Sequence, residues 1–165
     1  MRNPDNLIIE TETDNNEKIE LFSEQYRVGV EGLYRQIRDE QERGETTESA
    51  SLQKIPDNFW VTTDKDNKVI GTIGMDDCKN DTGYIKKMFV QKEHRNMGVG
   101  KRMLLIPVES AKQKGYKKVF LATFPDNKDA QKFYAKNGFQ QVESPPPTDL
   151  TFYEGTVFFE MDLKK

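Results

Sequence analysis

Apolar residues recur along this chain in two rhythms. Between Lys18 and Gln41, the residues Ile19, Phe22, Tyr26, Val30, Leu33 and Ile37 fall mostly three or four apart, the spacing of one helix face. The segment predicts one long helix or two in sequence, and Gly29 and Gly32 favour a break in its middle, because glycine costs a helix about 1 kcal/mol relative to alanine. Upstream, Leu7 to Glu10 reads as a short first strand, followed by the polar "TETDNNE". Downstream, "GETTESASLQKIPD" is a polar connection. The rhythm then changes. "NFWVTTD" and "KVIGTIGMDDC" are rich in β-branched and aromatic residues and are separated by "KDN", which suits a turn, so they predict a hairpin. "GYIKKMFV", from Gly83 to Val90, predicts the next strand, and the stretch from Met97 or Gly98 to about Lys114 predicts a helix closed by Gly115 and kinked at Pro107.

The remaining elements follow in the same way. "KKVFLATF" reads as a buried strand, "NKDAQKFYAKN" as a short helix closed by Gly138, and "FQQVES" as another strand. Pro145, Pro146 and Pro147 force a loop, and Thr156 to Leu163 supplies the last strand. The expected fold class is α/β of the α+β type: a mixed sheet flanked by helices, with no internal repeat. At 165 residues the chain has the size of one domain, 1–165, able to bury a core without staples.

Composition narrows the function classes. The formal net charge of −3 gives no general basic field, so nucleic acid is not an expected partner. No run approaches the roughly 20 apolar residues that cross a bilayer, and the start lacks the pattern of a signal peptide, so no membrane partner is expected and the cytoplasm is the expected location. Cys78 is the only cysteine and His94 the only histidine, which excludes an internal disulfide and a multi-cysteine metal site; no metal is expected. His94, between Glu93 and Arg95, reads as a solvated residue of a charged turn rather than a member of a triad.

The chemistry concentrates in "VQKEHRNMGVGKRMLL", Val90 to Leu105. A P-loop would need glycine where Arg95 stands and a hydroxyl where Arg102 stands. The dinucleotide fingerprint has Met103 in its third glycine position and no clear ribose-binding acid downstream. What survives is a strand, a charged turn and "RNMGVGK" opening a helix, where exposed amides and the positive end of the helix dipole bind an anion, with Gly98 and Gly100 allowing close approach to the backbone.

"HRNMGVGKRML", with "MFV" just upstream, resembles the R/Q-x-x-G-x-G/A motif of the GCN5-related N-acetyltransferases (GNAT). "NKDAQKFYAKNGF" resembles that family's N-x-x-A-x-x-F-Y-x-K-x-G-F segment, at the right distance and after a strand of the right kind. Together the two motifs cover roughly residues 83 to 140. The resemblance implies the GNAT (acyl-CoA N-acyltransferase) fold with a centrally splayed sheet. It also implies acetyl-coenzyme A as cosubstrate, its pyrophosphate held at Arg95, Asn96, Met97, Gly98, Val99, Gly100 and Lys101. The pantetheine arm would enter between the strands ending at Val90 and Phe124, meeting Phe89, Val90 and the side chain of Asn127, which by itself reads as a helix N-cap. Tyr134 would protonate the departing thiolate, although its spacing from Ala130 and Phe133 also suits a packed helix residue. A backbone amide of Phe89 or Val90 is the expected oxyanion donor. Dimers are frequent in the family, so a homodimer is possible.

The general base is where the chain departs from the pattern. Tyr84 stands where relatives often carry a glutamate in the strand before the glycine turn, leaving Asp76, Asp77, Tyr84 or a water chain. Asp76 and Asp77 read as a solvated turn. Lys86 and Lys87 are unusual in a central strand, where one must face a covered side or the cleft. Cys78 lies next to carboxylates that raise its pKa, which argues against an acetylated cysteine and for direct transfer. The expected activity is acetyl transfer to a primary amine of a small molecule. A protein lysine or N-terminal amine is the alternative acceptor, and a non-catalytic acyl-coenzyme A sensor the alternative class. The acceptor face is expected from the N-terminal helices with Tyr26 and Tyr34 and the loop from Ser144 to Gly155 with Tyr153.

Overall fold

In the computed structural model, residues 11–12, 17–40 and 51–164 are described, and the expected strand at Leu7 to Glu10 lies outside them. The elements run β1 (Thr11–Glu12), β2 (Lys18–Leu21), α1 (Arg27–Glu40), β3 (Asn58–Thr63), β4 (Val69–Cys78), β5 (Thr82–Val90), α2 (Val99–Gln113), β6 (Lys118–Thr123), α3 (Lys128–Lys136), β7 (Gln140–Val142) and β8 (Val157–Asp162). They build an eight-stranded sheet in the order β1-β2-β3-β4-β5-β6-β8-β7. Neighbours are antiparallel except β5 and β6, which are parallel. The mixed sheet with flanking helices is the architecture the sequence predicts.

Two expectations need correction at the amino end. Lys18–Leu21 is a strand rather than the start of a helix, paired antiparallel to β3 with Ile19 opposite Thr62. "KIEL" also alternates polar and apolar, and burial of Ile19 against the sheet selects that period of two. Glu12, in the expected polar link, pairs with Lys18. The helix that follows is continuous from Arg27 to Glu40 across both glycines. Gly29 earns its place by proximity: a Cβ there would lie 2.7 Å from Cγ2 of Val69, so its absence lets α1 press onto β4. Packing of Val30, Leu33, Tyr34 and Ile37 against Phe59, Val61 and Val69 outweighs the glycine cost.

The other elements lie where the periodicity places them. The β3–β4 turn is tied by the Asp64 carboxylate, which accepts from the amides of Asp66 and Lys68. Helix α2 continues through Pro107 and ends before Gly115, whose φ is +80°. It packs Val99, Met103, Leu104, Val108 and Ala111 on the opposite side of the sheet from α1, with Ile73, Met75, Ile85, Val119 and Leu121. Each face of the sheet thus has its own core.

Candidate active site

The site is made by an interruption in the sheet. Strands β5 and β6 pair only at Thr82 with Lys118, Gly83 with Val119 and Tyr84 with Phe120. Beyond Tyr84 they part, and accessibility follows: Gly83 and Ile85 are buried, whereas Lys86 to Val90 are all half-exposed. A cleft opens between the carboxyl ends of two parallel strands, where open α/β sheets usually bind ligands.

A bulge accompanies the parting. Gly74 pairs with Lys86 but Thr72 pairs with Phe89, so Lys87 and Met88 together face Ile73. Lys87 has φ +54°, a left-handed conformation unusual for a residue with a side chain. Its carbonyl accepts a 2.8 Å hydrogen bond from Thr72 Oγ1, on the β4 side. Across a trans peptide the following N–H points the opposite way, so the Met88 amide faces the cleft. Strand alternation agrees, since Phe89 continues the β4 ladder and the Gln91 amide reaches Ile70 of β4 at 2.7 Å. Phe89 itself turns its ring onto Tyr34, with centroids 5.2 Å apart, and Val90 lends its carbonyl to Arg95 Nε at 2.9 Å.

The glycine turn forms one wall. Asn96 and Gly98 both have positive φ, +65° and +82°. The first α2 hydrogen bond runs from the Arg102 amide to the Gly98 carbonyl, so the amides of Val99, Gly100 and Lys101 lack intrahelical acceptors. Gly100 sits against Met88 of β5 and Phe133 of α3, each 3.4 Å from the position of a Cβ. Asn96, Met97, Gly98 and Lys101 are exposed, while Val99 is buried under the turn. Arg95 points away: its guanidinium bonds Glu40 at 2.8 Å, fastening the turn to α1. Arg102 lies beneath Gly98 and pairs with the buried Glu17 at 3.0 Å.

The opposite wall comes from β6 and α3. Asn127 caps α3, its Oδ1 accepting from the Ala130 amide at 3.2 Å, as its N-cap reading predicts. Tyr134 packs as its helix spacing suggested, and its hydroxyl faces β5. Its ring packs on Phe139 and Phe159, and its hydroxyl points at Met88 Sδ, 3.9 Å away. That contact joins α3 to β5 beyond the point where β6 has separated, so the phenol stands in the gap. Burial, with a smaller contribution from Tyr84, pushes its pKa up to about 12, and it stays protonated at neutral pH.

The acceptor side corrects several expectations. Asp76 and Asp77 lie in strand β4, and both are engaged although Asp77 stays exposed: Asp76 pairs with Lys86 at 3.0 Å and accepts from the Asp57 amide, and Asp77 binds Asn58 and Lys114. Lys87 donates to the Ser51 carbonyl at 2.9 Å, and burial brings its ammonium down to about 8. Tyr84 stacks on Phe120 at 4.8 Å with Phe152 edge-on, and burial holds its phenol near 12. His94 is half-buried in a short 3₁₀ turn with Nδ1 shielded, so solvent reaches it only in part. Cys78 has its thiol pushed up, first by burial and then by Asp76, Asp57 and Asp77. Tyr34, expected on the acceptor face, is a core residue, and in the loop it is Phe152 rather than the exposed Tyr153 that reaches the sheet. Sequence reasoning missed the Met88 amide and Phe152; the one visible signal was an aromatic pair in an otherwise proline-rich polar loop.

Residues 17–139 match the acetyltransferase (GNAT) family. The chain belongs to this family. GNAT enzymes use acetyl-coenzyme A as cosubstrate, and solved neighbours of this fold hold coenzyme A or acetyl-coenzyme A. Among curated proteins, the chain is 38% identical over 65 residues to GCN5-related N-acetyltransferase 6, chloroplastic, of Arabidopsis thaliana, covering 39% of this chain and 23% of that protein. It is 26% identical over 147 residues to the probable N-acetyltransferase camello of Xenopus laevis, covering 83% of this chain and 67% of that one. The chain therefore spans about a quarter of one of these relatives and two thirds of the other. A GNAT-family acetyltransferase from Staphylococcus aureus Mu50 has the same fold, with a TM-score of 0.76, 23% identity, and coverage of 90% of this chain and 99% of that one. The GNAT cleft suits its cosubstrate: amides left open at Val99 to Lys101 suit a pyrophosphate, and the unpaired inner edge of β5 suits an extended arm carrying amides. Among the described residues, no helix is long and apolar enough to cross a membrane.

Proposed function

We propose that this chain is a cytoplasmic, single-domain N-acetyltransferase that moves an acetyl group directly from acetyl-coenzyme A to the primary amine of a small molecule. The observation that carries the reading is the parting of β5 from β6 beyond Tyr84 with the protonated Tyr134 hydroxyl pointing across the gap. In this reading the backbone from Asn96 to Lys101 holds the pyrophosphate, with Arg95 acting through the shape of the turn because its side chain is occupied by Glu40. The inner edge at Met88 and Val90 pairs with the pantetheine arm, with Phe89 supporting it from the core and Asn127 at the mouth. The Met88 amide N–H donates to the thioester oxygen as negative charge grows there, a role worth roughly 10²- to 10³-fold in rate for a well-aimed donor.

The amine nitrogen forms a bond to the acetyl carbon as the carbon–sulfur bond breaks. The nitrogen sheds one proton to water, and Tyr134 donates one to the sulfur, then regains it from solvent. Among the described residues, neither Asp76, tied to Lys86, nor Tyr84, which keeps its proton, is an effective base. The amine must therefore arrive neutral. A small acceptor is favoured by Phe152, which folds the 143–156 loop over Tyr84 and Phe120 and narrows that side of the cleft. The test is calorimetric titration with acetyl-coenzyme A against an ADP control, followed by thiol release over a panel of small amines and one of lysine and N-terminal peptides. Micromolar binding that ADP cannot match, with turnover on a small amine, is expected. Turnover on peptides alone would reassign the acceptor, and binding without turnover would make the chain a sensor.

A further inference from the structure

The bulge peptide is held by a buried hydroxyl chain that reaches it from α1. Thr72 Oγ1 donates to the Lys87 carbonyl at 2.8 Å, and a hydroxyl has one proton, so the 2.8 Å contact between Tyr34 Oη and Thr72 Oγ1 must have the tyrosine as donor. The chain is directional: Tyr34 to Thr72 to the Lys87 carbonyl. Both side chains are sealed, with Tyr34 1% and Thr72 0% exposed, so water cannot replace either link. Ordinary ladder bonds cannot do this task, because the bulge leaves Lys87 out of register and at φ +54°. A left-handed lysine persists only where its surroundings hold it.

Resting on the acetyltransferase reading, we infer that Tyr34 and Thr72 are positioning residues for the reaction: by fixing the Lys87 carbonyl toward β4 they keep the Met88 N–H aimed into the cleft. Neither touches substrate. The inference joins the docking of α1, on one face of the sheet, to the chemistry in the gap. It also gives a reason for a tyrosine on a helix face whose other buried residues, Val30, Leu33 and Ile37, are aliphatic, since phenylalanine would fill the same space against Phe89.

The experiment compares Thr72→Val, which keeps the shape and removes the hydroxyl, with Thr72→Ser, which keeps the hydroxyl, and with Tyr34→Phe. Thr72→Val is expected to lower kcat about 10- to 100-fold while the Kd for acetyl-coenzyme A stays within about twofold. Thr72→Ser is expected to restore most of the rate, and Tyr34→Phe to lose a few-fold. The carbonyl stretch of bound [1-¹³C]acetyl-coenzyme A, lowered in the wild type by the amide, should move back toward its solution value in Thr72→Val and not in Thr72→Ser. Without any ligand, the Met88 amide resonance should shift in Thr72→Val and stay in place in Thr72→Ser. Wild-type kcat in Thr72→Val, or an unmoved Met88 resonance, would overturn the inference. If wild type itself binds no acetyl-coenzyme A, the acetyltransferase reading fails, and the ligand-free resonance separately decides whether the hydroxyl chain sets the bulge.

Discussion

Strand β5 contains two regions that obey different rules. From Thr82 to Tyr84 it is an interior strand, paired on both sides and covered, with Gly83 so close to Met75 that a Cβ would lie 2.5 Å from its sulfur. From Lys86 to Val90 it keeps its β4 neighbour and has no β6 partner, gains a bulge, and carries two lysines. The closed half is secured by apolar packing and by ladder pairing on both sides. The open half is secured indirectly, by Thr72 on the Lys87 carbonyl, by Ser51 on the Lys87 ammonium and by Arg95 on the Val90 carbonyl. An edge left unpaired inside a sheet is costly unless something else satisfies it, which is the physical sense in which the gap is built for a ligand.

The sharpest way to break this contrast is at Tyr134, the residue that spans the open half. Tyr134→Phe keeps the ring against Phe139 and Phe159 and removes only the hydroxyl. The expected loss is about 10²-fold in kcat, the size of a general-acid contribution, with acetyl-coenzyme A affinity retained. Steady-state kinetics beside calorimetry separates the two, and an unchanged kcat would take Tyr134 out of the mechanism.

A smaller effect is expected at the glycine turn. Gly98 has φ +82° and a Cβ would come 3.0 Å from the Arg102 guanidinium, so Gly98→Val should distort the turn and weaken acetyl-coenzyme A by about tenfold, equivalent to about 1.4 kcal/mol. Gly32 is the control. A Cβ there meets nothing, so Gly32→Ala should leave binding untouched and raise stability by up to about 1 kcal/mol, read from urea midpoints. Equal effects at the two glycines would mean that the turn is only a turn.

Smaller again is the acceptor side. Phe152 makes edge contacts with Tyr84, Phe120 and Phe158. Phe152→Ala removes aromatic contacts worth about 0.5–1.5 kcal/mol each and should raise the amine KM by about threefold to tenfold, with the acetyl-coenzyme A Kd unchanged. A loss confined to acetyl-coenzyme A binding would place the loop on the wrong side of the cleft.

The closed half was far more legible in the sequence than the open one. Strands such as "VFLAT" and helices closed by Gly115 and Gly138 announce themselves by period and by their stop residues, and the glycine turn with "NKDAQKFY" located the cleft by resemblance. The bulge at Lys87 was hidden, because two lysines in a strand signal a conflict without saying how the backbone answers it. Tyr34 misled for a related reason: a tyrosine reads as a candidate surface contact, and only the three-dimensional partner Thr72 makes it a core residue. At Lys18–Leu21 the periods of two and 3.6 fit the same apolar positions, and tertiary pairing with β3 decided between them.

The finest test compares two phenols, one in each region. Tyr84 in the closed half and Tyr134 in the open half are both held near pKa 12, against about 10 in an unfolded chain, each chiefly by burial. A raised pKa means that the folded state keeps its proton longer. The contribution to stability is therefore complete below about pH 10 and is lost as pH climbs from there toward 12. Wild-type urea midpoints should fall between pH 9 and pH 11, and either Tyr84→Phe or Tyr134→Phe should make that fall shallower, because each removes one group that the unfolded chain ionises more readily. Turnover should divide them: kcat should drop in Tyr134→Phe and change by no more than about threefold in Tyr84→Phe, whose ring keeps its stack on Phe120. If Tyr84→Phe slows turnover as much as Tyr134→Phe does, the closed half takes part in the chemistry, and the boundary at Tyr84 divides the strand's pairing without dividing its work.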